Sequence, residues 1–122
     1  MVVDDLIKQV GKPYERYDEN GLATGCMAPV WMLYPDLPRY EWPEDETQLG
    51  LIMEKEFGEH LIQVESGDMQ VGDIILIQLF FGLLHPGIYI GNGKIIHCLS
   101  LTGMEIMRFS SVRVKGVYRC HR

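Results

Sequence analysis

One cysteine in this sequence is placed where its thiol could become a nucleophile. Cys26 precedes Pro29 by three residues, and a proline inside a helix is tolerated only in the first turn, where its missing N–H would be unpaired. The pattern therefore predicts a helix that begins close to Cys26. Unpaired N–H groups and the helix dipole stabilise a thiolate there and can bind an oxyanion. The alternative is an inert buried cysteine, a common fate of a free thiol.

Two histidines could serve this thiol as base and orienting partner. His85 opens a predicted strand and His97 lies on the next one. With Cys26 they would supply the nucleophile, the base and the group that orients the base. A lone strand histidine is more often a packed or surface residue. The same three side chains could also bind zinc, but the short-spaced ligand pairs typical of zinc sites are absent. We expect no metal and no cofactor.

The turn between the two strands decides whether the histidines share a face. A two-residue turn would place His97 opposite Ile88, on the other side of the sheet from His85. We expect instead a three-residue loop, Gly91-Asn92-Gly93, whose last glycine adopts a left-handed conformation. That loop places His97 opposite Gly87, within reach of His85.

The elements that must position these side chains are predicted as helices first and strands afterwards. Helices are expected over Val3–Val10 (with Leu6, Ile7 and Val10 on one face), from near Cys26 to Leu33, and over Glu46–Phe57. Strands are expected over Ile74–Phe81, Gly87–Ile90, Lys94–Leu99, Glu105–Phe109 and Val112–Arg119. This order predicts an α+β fold with an antiparallel sheet, in a single domain over residues 1–122. Cys98 is expected to point into the core, and the histidines expected to be packed or exposed are His60 and His121.

Composition excludes several partners. The chain has 122 residues, is 47% hydrophobic, and carries a net charge of −6 with a pI of about 5.1. Nucleic acid and anionic membranes both require a basic surface, so neither is expected as a partner. No segment approaches the roughly 18 apolar residues of a membrane span. The N-terminus has no signal-peptide pattern, so we expect synthesis in the cytoplasm, and three cysteines do not suggest a disulfide framework.

Several motifs, taken together, resemble the NlpC-type cysteine peptidases, which are papain-like bacterial cell-wall endopeptidases. The similar segments are Gly11-Lys-Pro-Tyr14, Cys26 at a helix start, Met69-Gln-Val-Gly-Asp73-Ile-Ile-Leu, and the hairpin from His85 to His97. The resemblance runs from Leu6 to Ser100, and the hairpin is its most specific part. It implies a papain-like fold in which helices pack on the sheet.

The resemblance also implies roles. Cys26 would be the nucleophile, His85 the general base and His97 the third catalytic residue, and Tyr14 would lie near the active site as a substrate-binding residue. The implied partner is a murein stem peptide, cleaved at an amide bond, commonly next to a D-γ-glutamyl residue. The segment from Tyr34 to Tyr40 resembles the phage tail-associated branch, which implies phage tail proteins as further partners and action in a tail or at the cell wall.

The chain departs from the family pattern around the nucleophile. It has Gly25-Cys26-Met27-Ala28 where the family usually has Asp-Cys-Ser-Gly, and Glu15-Arg-Tyr17 follows the tyrosine motif in place of a glycine pair. Met27 is expected to shape the substrate site. Two alternatives therefore remain: a thiol acyltransferase or deamidase with another substrate, and a structural tail module whose triad is inactive.

Overall fold

The chain folds as three helices followed by a six-stranded sheet, as seen in a computed structural model that describes residues 1–41, 46–79 and 83–120. The helices are α1 (Val3–Ile7), α2 (Ala28–Leu33) and α3 (Glu46–His60). The strands are β1 (Leu61–Val64), β2 (Ile74–Gln78), β3 (Leu84–Gly91), β4 (Lys94–Leu99), β5 (Gly103–Arg108) and β6 (Arg113–Cys120). The predicted α+β class is confirmed. Among the described helices, none has the length and apolar character needed to cross a membrane.

The sheet has the strand order β1-β6-β2-β3-β4-β5, and neighbouring strands are antiparallel throughout. The run Ile74–Ile77 is 0–1% exposed because β2 lies between β6 and β3 and is covered on both faces. Such a continuous run of β-branched and leucine side chains is typical of a fully buried strand. The middle of the sheet therefore forms the rigid platform on which β3 and β4 carry the two histidines.

Each face of the sheet has its own apolar cluster. The helix-facing core combines side chains from α1, α2 and α3 with those of alternate strand positions, among them Leu6, Trp31, Met53, Phe57, Ile74, Leu76, Ile88, Ile96 and Cys98. The second cluster lies on the other face and is built on Ile75, Ile77 and Ile95. Cys98 is 1% exposed and lies in the helix-facing core, as predicted.

Several predicted element boundaries differ from the structure, those of α1 and α3 among them. Helix α1 ends at Ile7 rather than Val10, because the backbone turns toward Gly11, whose N–H donates to the carbonyl of Met104. Val10 is consequently 46% exposed and does not join the apolar face. Helix α3 continues three residues beyond Phe57, to His60. Strand β2 is described to Gln78, and the predicted end of that strand at Phe81 lies outside the described residues.

The β3–β4 hairpin has a different turn from the one predicted. Asn92 (φ 53°) and Gly93 (φ 70°) form a two-residue turn in which Gly91 pairs with Lys94. The expected three-residue loop is therefore wrong. The register then shifts between Tyr89 and Gly91, so that one extra residue, Ile90, forms a β-bulge.

The β-bulge produces the same strand pairing that a three-residue loop would have produced. Beyond it Ile88 pairs with Ile96, which brings His97 opposite Gly87. His97 therefore shares a face with His85, as expected, although the extra residue lies in the strand and not in the turn.

Candidate active site

Cys26 lies at the entrance to α2, where the sequence predicted it. Residues Gly25–Met27 form a 3₁₀ turn that runs directly into α2, and Pro29 occupies the first turn of that helix. Gly25 has a φ of 50°, in the left-handed region that glycine adopts most readily. The 3₁₀ turn packs against β3 and β4, which carry the two histidines. The local backbone therefore holds the thiol close to the sheet.

Cys26 and His85 line the same cavity, which has a volume of about 260 Å³. Tyr14, Arg16 and Leu84 also contribute to its walls. Cys26 packs against the helix-facing core, whereas His85 pairs with Ile77 of the opposite face. The cavity reaches both because it lies at the end of the sheet where β3 begins. The structure thus brings together three of the residues singled out in the sequence.

His85 and His97 are linked through their rings. Nε2 of His85 lies 3.1 Å from Nδ1 of His97, and the ring planes meet at 80°. The two residues are only 4% and 2% exposed. Their link is a hydrogen bond if one of the two nitrogens carries the proton and the other does not. His97 is thus in the position expected of the group that orients His85.

Glu105 extends this link and was not identified from the sequence. On β5 it pairs with His97 of β4, and its Oε1 lies 2.9 Å from His97 Nε2. A signal for it did exist. Gly103 marks a tight turn after β4, and counting back from the Leu99–Gly103 pair leads to His97 opposite Glu105. With both ring nitrogens engaged, His97 has no nitrogen left for the zinc site that the sequence left open.

Burial keeps both imidazoles neutral at pH 7. Burial is the larger cause and a positive charge on His97 the smaller one, and together they lower the pKa of His85 to about 3. Burial also lowers the pKa of His97, while the carboxylate of Glu105 acts in the opposite direction. At pH 7 His97 carries no charge, so desolvation is the cause that acts on His85. A neutral His85 is in the protonation state that a general base requires.

The opening motif is attached to the edge of β5. The N–H of Gly11 donates to the carbonyl of Met104 (2.9 Å), and the N–H of Met104 donates to the carbonyl of Lys12 (2.8 Å). This close approach requires Gly103, which has a φ of 73° and where a Cβ would lie 2.3 Å from the Lys12 oxygen. Tyr14 follows directly and reaches the cavity wall. The edge of the sheet thus fixes the loop that carries the tyrosine.

The other predicted residues fall in different environments. The Met27 side chain is 1% exposed and belongs to the helix-facing core, which argues against direct contact with a substrate. His60 is exposed at the end of α3, where its Nε2 lies 3.3 Å from Glu56 Oε2. His121 lies outside the described residues.

Comparison with known proteins identifies the family of this chain. The sequence model of the NlpC/P60 family matches residues 11–122, and the chain belongs to this family. Murein DD-endopeptidase MepH of Escherichia coli (strain K12) is 28% identical over 114 residues, a match that covers 87% of this chain and 38% of that protein.

A solved structure provides a comparison of the fold. It is an NlpC/P60 family protein from Bacillus cereus ATCC 10987, with a TM-score of 0.62 and 22% identity. The match covers 98% of this chain and 40% of that one. This chain therefore spans about two fifths of the length of both proteins, and the likeness in structure concerns the papain-like α+β fold.

Proposed function

We propose that this chain is a cysteine hydrolase that cleaves an amide bond in murein stem peptides, with Cys26 as nucleophile, His85 as general base and His97 as the third catalytic residue. The observation that carries the proposal is the cavity shared by Cys26 and His85, behind which His85 is linked to His97. Membership of the NlpC/P60 family and the similarity to a murein endopeptidase support the substrate class.

In the proposed reaction His85 takes the proton of Cys26 as Sγ attacks the carbonyl carbon of the substrate. The resulting oxyanion accepts a hydrogen bond from the backbone N–H of Cys26 at the start of the helix. His85 then protonates the leaving amine, and an acyl-thioester remains on Cys26. Water, deprotonated by His85, attacks the thioester, which releases the acid and restores the thiol.

One cationic side chain in the cavity wall suits a peptide that carries carboxylates. Arg16 contributes a cationic group to the cavity that also contains Cys26 and Tyr14. An acyltransferase acting on a lipid would instead require exposed apolar surface near the nucleophile. Met27 and Trp31 do not supply it, because they are only 1% and 2% exposed. The apolar part of the cavity wall comes instead from leucines, namely Leu49, Leu79, Leu83, Leu84 and Leu99. Stem peptides of murein contain free carboxylates, and Tyr14 and Arg16 are the residues proposed to contact them.

Association with a phage tail is a finer proposal, and it rests on the resemblance of the segment from Tyr34 to Tyr40. In the fold this segment also contacts other parts of the chain. Arg39 donates to the carbonyl of Ala23 (2.7 Å) and lies over the ring of Trp31. Mass spectrometry of purified phage particles from the source organism would test the association, and absence of the protein from such particles would reject it.

The decisive experiment is digestion of purified murein and of short D-γ-glutamyl stem peptides, read by mass spectrometry. Cys26→Ala is the active-site variant, and Cys120→Ala is its matched control because Cys120 lies on β6 and lines a different cavity. We expect cleavage at one amide bond by the wild type and by Cys120→Ala, and none by Cys26→Ala.

Alkylation of Cys26 as a function of pH separates the alternatives. An activated thiol reacts well below the pKa of about 8.5 of an ordinary cysteine. No cleavage together with a hyper-reactive Cys26 would point to a thiol enzyme with a different substrate. No cleavage together with an ordinary thiol would favour the inactive structural module.

A further inference from the structure

Three polar side chains form one continuous line across three adjacent strands. His85 on β3 lies 3.1 Å from His97 on β4, and His97 lies 2.9 Å from Glu105 on β5. The two histidines are buried, whereas the side chain of Glu105 is 37% exposed at the end of the line. Glu105 therefore connects a buried imidazole pair to a charge near the surface.

Hydrogen-bond chemistry fixes the direction of this line. An ionised carboxylate can only accept, so the proton between Glu105 and His97 must be on Nε2 of His97. In a neutral imidazole the other nitrogen is then an acceptor, so His97 Nδ1 must accept from Nε2–H of His85. Neutral His85 in turn has its lone pair on Nδ1, the nitrogen that remains for the thiol of Cys26. The protonation pattern of the whole line thus follows from the carboxylate.

We infer that Glu105 is a positioning residue for the reaction proposed above: its carboxylate holds His97 in the Nε2–H tautomer, which orients His85 with Nδ1 as the proton acceptor for Cys26. Glu105 acts through His97 and does not contact the substrate. Its charge has a second effect, because it offsets the positive charge that His85 acquires when it takes the thiol proton.

The charged groups around the line are few among the described residues. His97 is faced by His85 from β3 and by Glu105 from β5, and Arg113 and Ser111 line a second cavity that also borders His97 and Glu105. Arg16 borders the first cavity, beside Cys26 and His85. Both arginines are positive and therefore disfavour a positive charge on His85. Among the described residues, Glu105 is the carboxylate that is hydrogen-bonded to the line.

The test is the rate of Cys26 alkylation by iodoacetamide between pH 5 and pH 10, followed by peptide mapping. Glu105→Gln keeps the shape of the side chain but removes its charge, and its amide no longer fixes the His97 tautomer because it can donate as well as accept. We expect alkylation near pH 6 to slow by about tenfold, the effect of a one-unit rise in the apparent thiol pKa. The rates should converge at high pH, where the thiolate forms without help. The matched control is Glu65→Gln, an exposed carboxylate after β1 at the opposite edge of the sheet, which should leave the profile unchanged.

The same measurement in a His97→Asn variant shows whether Glu105 acts through His97. In His97→Asn the amide oxygen can accept from His85 without help from Glu105, so adding Glu105→Gln should change the rate less than twofold. An equal loss in both backgrounds would overturn the inference. The effects of two substitutions add when the residues are independent, and they do not add when one residue acts through the other. An unchanged profile in Glu105→Gln alone would also overturn it. Circular dichroism melts confirm that each variant is folded.

The readout separates this inference from the proposed substrate. If murein is not cleaved but Cys26 reactivity still depends on Glu105 through His97, the positioning role stands in a thiol enzyme with another substrate. If the wild-type thiol titrates as an ordinary cysteine, both the proposed function and the role of Glu105 are wrong.

Discussion

Nε2 of His85 lies 3.1 Å from Nδ1 of His97, and this contact joins two strands through buried polar atoms. Neither nitrogen has solvent as an alternative partner, since the residues are 4% and 2% exposed. A buried polar group without a partner costs about 1–3 kcal/mol, so each ring stabilises the position of the other. The pair is at once a structural element of the sheet and the proposed source of base catalysis.

Two substitutions of His97 should show whether His85 needs only a hydrogen-bond acceptor at this position or a second imidazole. His97→Asn retains an oxygen that can accept from His85, so we expect kcat on a stem peptide to fall only about tenfold. His97→Ala leaves His85 without an orienting partner, and kcat should fall about 100-fold or more. Equal losses in the two variants would contradict an orienting role.

Stability should depend on pH through His85. Because its pKa in the folded state, about 3, lies below the ordinary value of 6.5, the unfolded chain binds the proton more readily. The contribution of His85 to stability is therefore complete above pH 6.5 and is lost as pH falls toward 3. We expect the wild type to lose up to about 1.4 kcal/mol more per pH unit than His85→Gln.

Urea unfolding between pH 7 and pH 4 measures this difference, since other titrating groups are common to both proteins. His60→Gln, which removes an exposed histidine of α3, is the control for the loss of a histidine as such. Parallel curves for the wild type and His85→Gln would show that His85 does not titrate in this range.

Gly103 should tolerate no side chain. Gly103→Ala combines a left-handed backbone with a Cβ 2.3 Å from the Lys12 oxygen, so we expect a loss of about 2 kcal/mol or more in the free energy of unfolding. Gly93 has a similar φ of 70° but no atom within 4 Å of its Cβ position, and Gly93→Ala should cost only about 1 kcal/mol. Because Tyr14 follows the displaced segment, Gly103→Ala should also raise KM. Equal losses of stability would mean that the contact with Lys12 carries no cost.

Met27 should behave as a core residue. Met27→Ser, which introduces the residue usual in the family, removes a side chain that is 1% exposed, and we expect a loss of about 3 kcal/mol in the free energy of unfolding. KM for a stem peptide should stay within about twofold where the variant is folded, a change of less than about 0.5 kcal/mol in binding. A large change in KM at unchanged stability would return Met27 to the substrate site.

Local signals in the sequence predicted where several elements around the candidate site begin and end. Pro29 located the start of the helix at Cys26, because proline has few permitted positions in a helix. The glycines at 91 and 93 located the hairpin. The element order gave the α+β class, and α2 and β4 were found close to their observed limits.

What escaped prediction depends on contacts that sequence spacing does not determine. The bulge at Ile90 has no residue signature, so the turn was assigned the extra residue that the strand contains. Glu105 resembles a solvated residue of a strand in the sequence, and the turn at Gly103 points to His97 as its partner only once β4 and β5 are taken as a pair. The ion pair between Asp73 and Arg119, with contacts of 2.8 and 2.9 Å, joins residues 46 positions apart. Such pairs follow from the strand order, in which β6 returns to lie beside β2.

The bulge at Ile90 also bears on how the length of this hairpin can vary. The two histidines are 12 positions apart in the sequence. In a hairpin with the same two-residue turn but without the extra residue Ile90, they would be 11 positions apart. A relative whose two histidines are 11 positions apart keeps the same pairing only if its hairpin has no β-bulge. One with 13 requires a second extra residue in a strand or a longer turn. In comparing such hairpins, a gap of one residue is therefore compatible with an intact histidine pair, provided that a bulge is gained or lost with it.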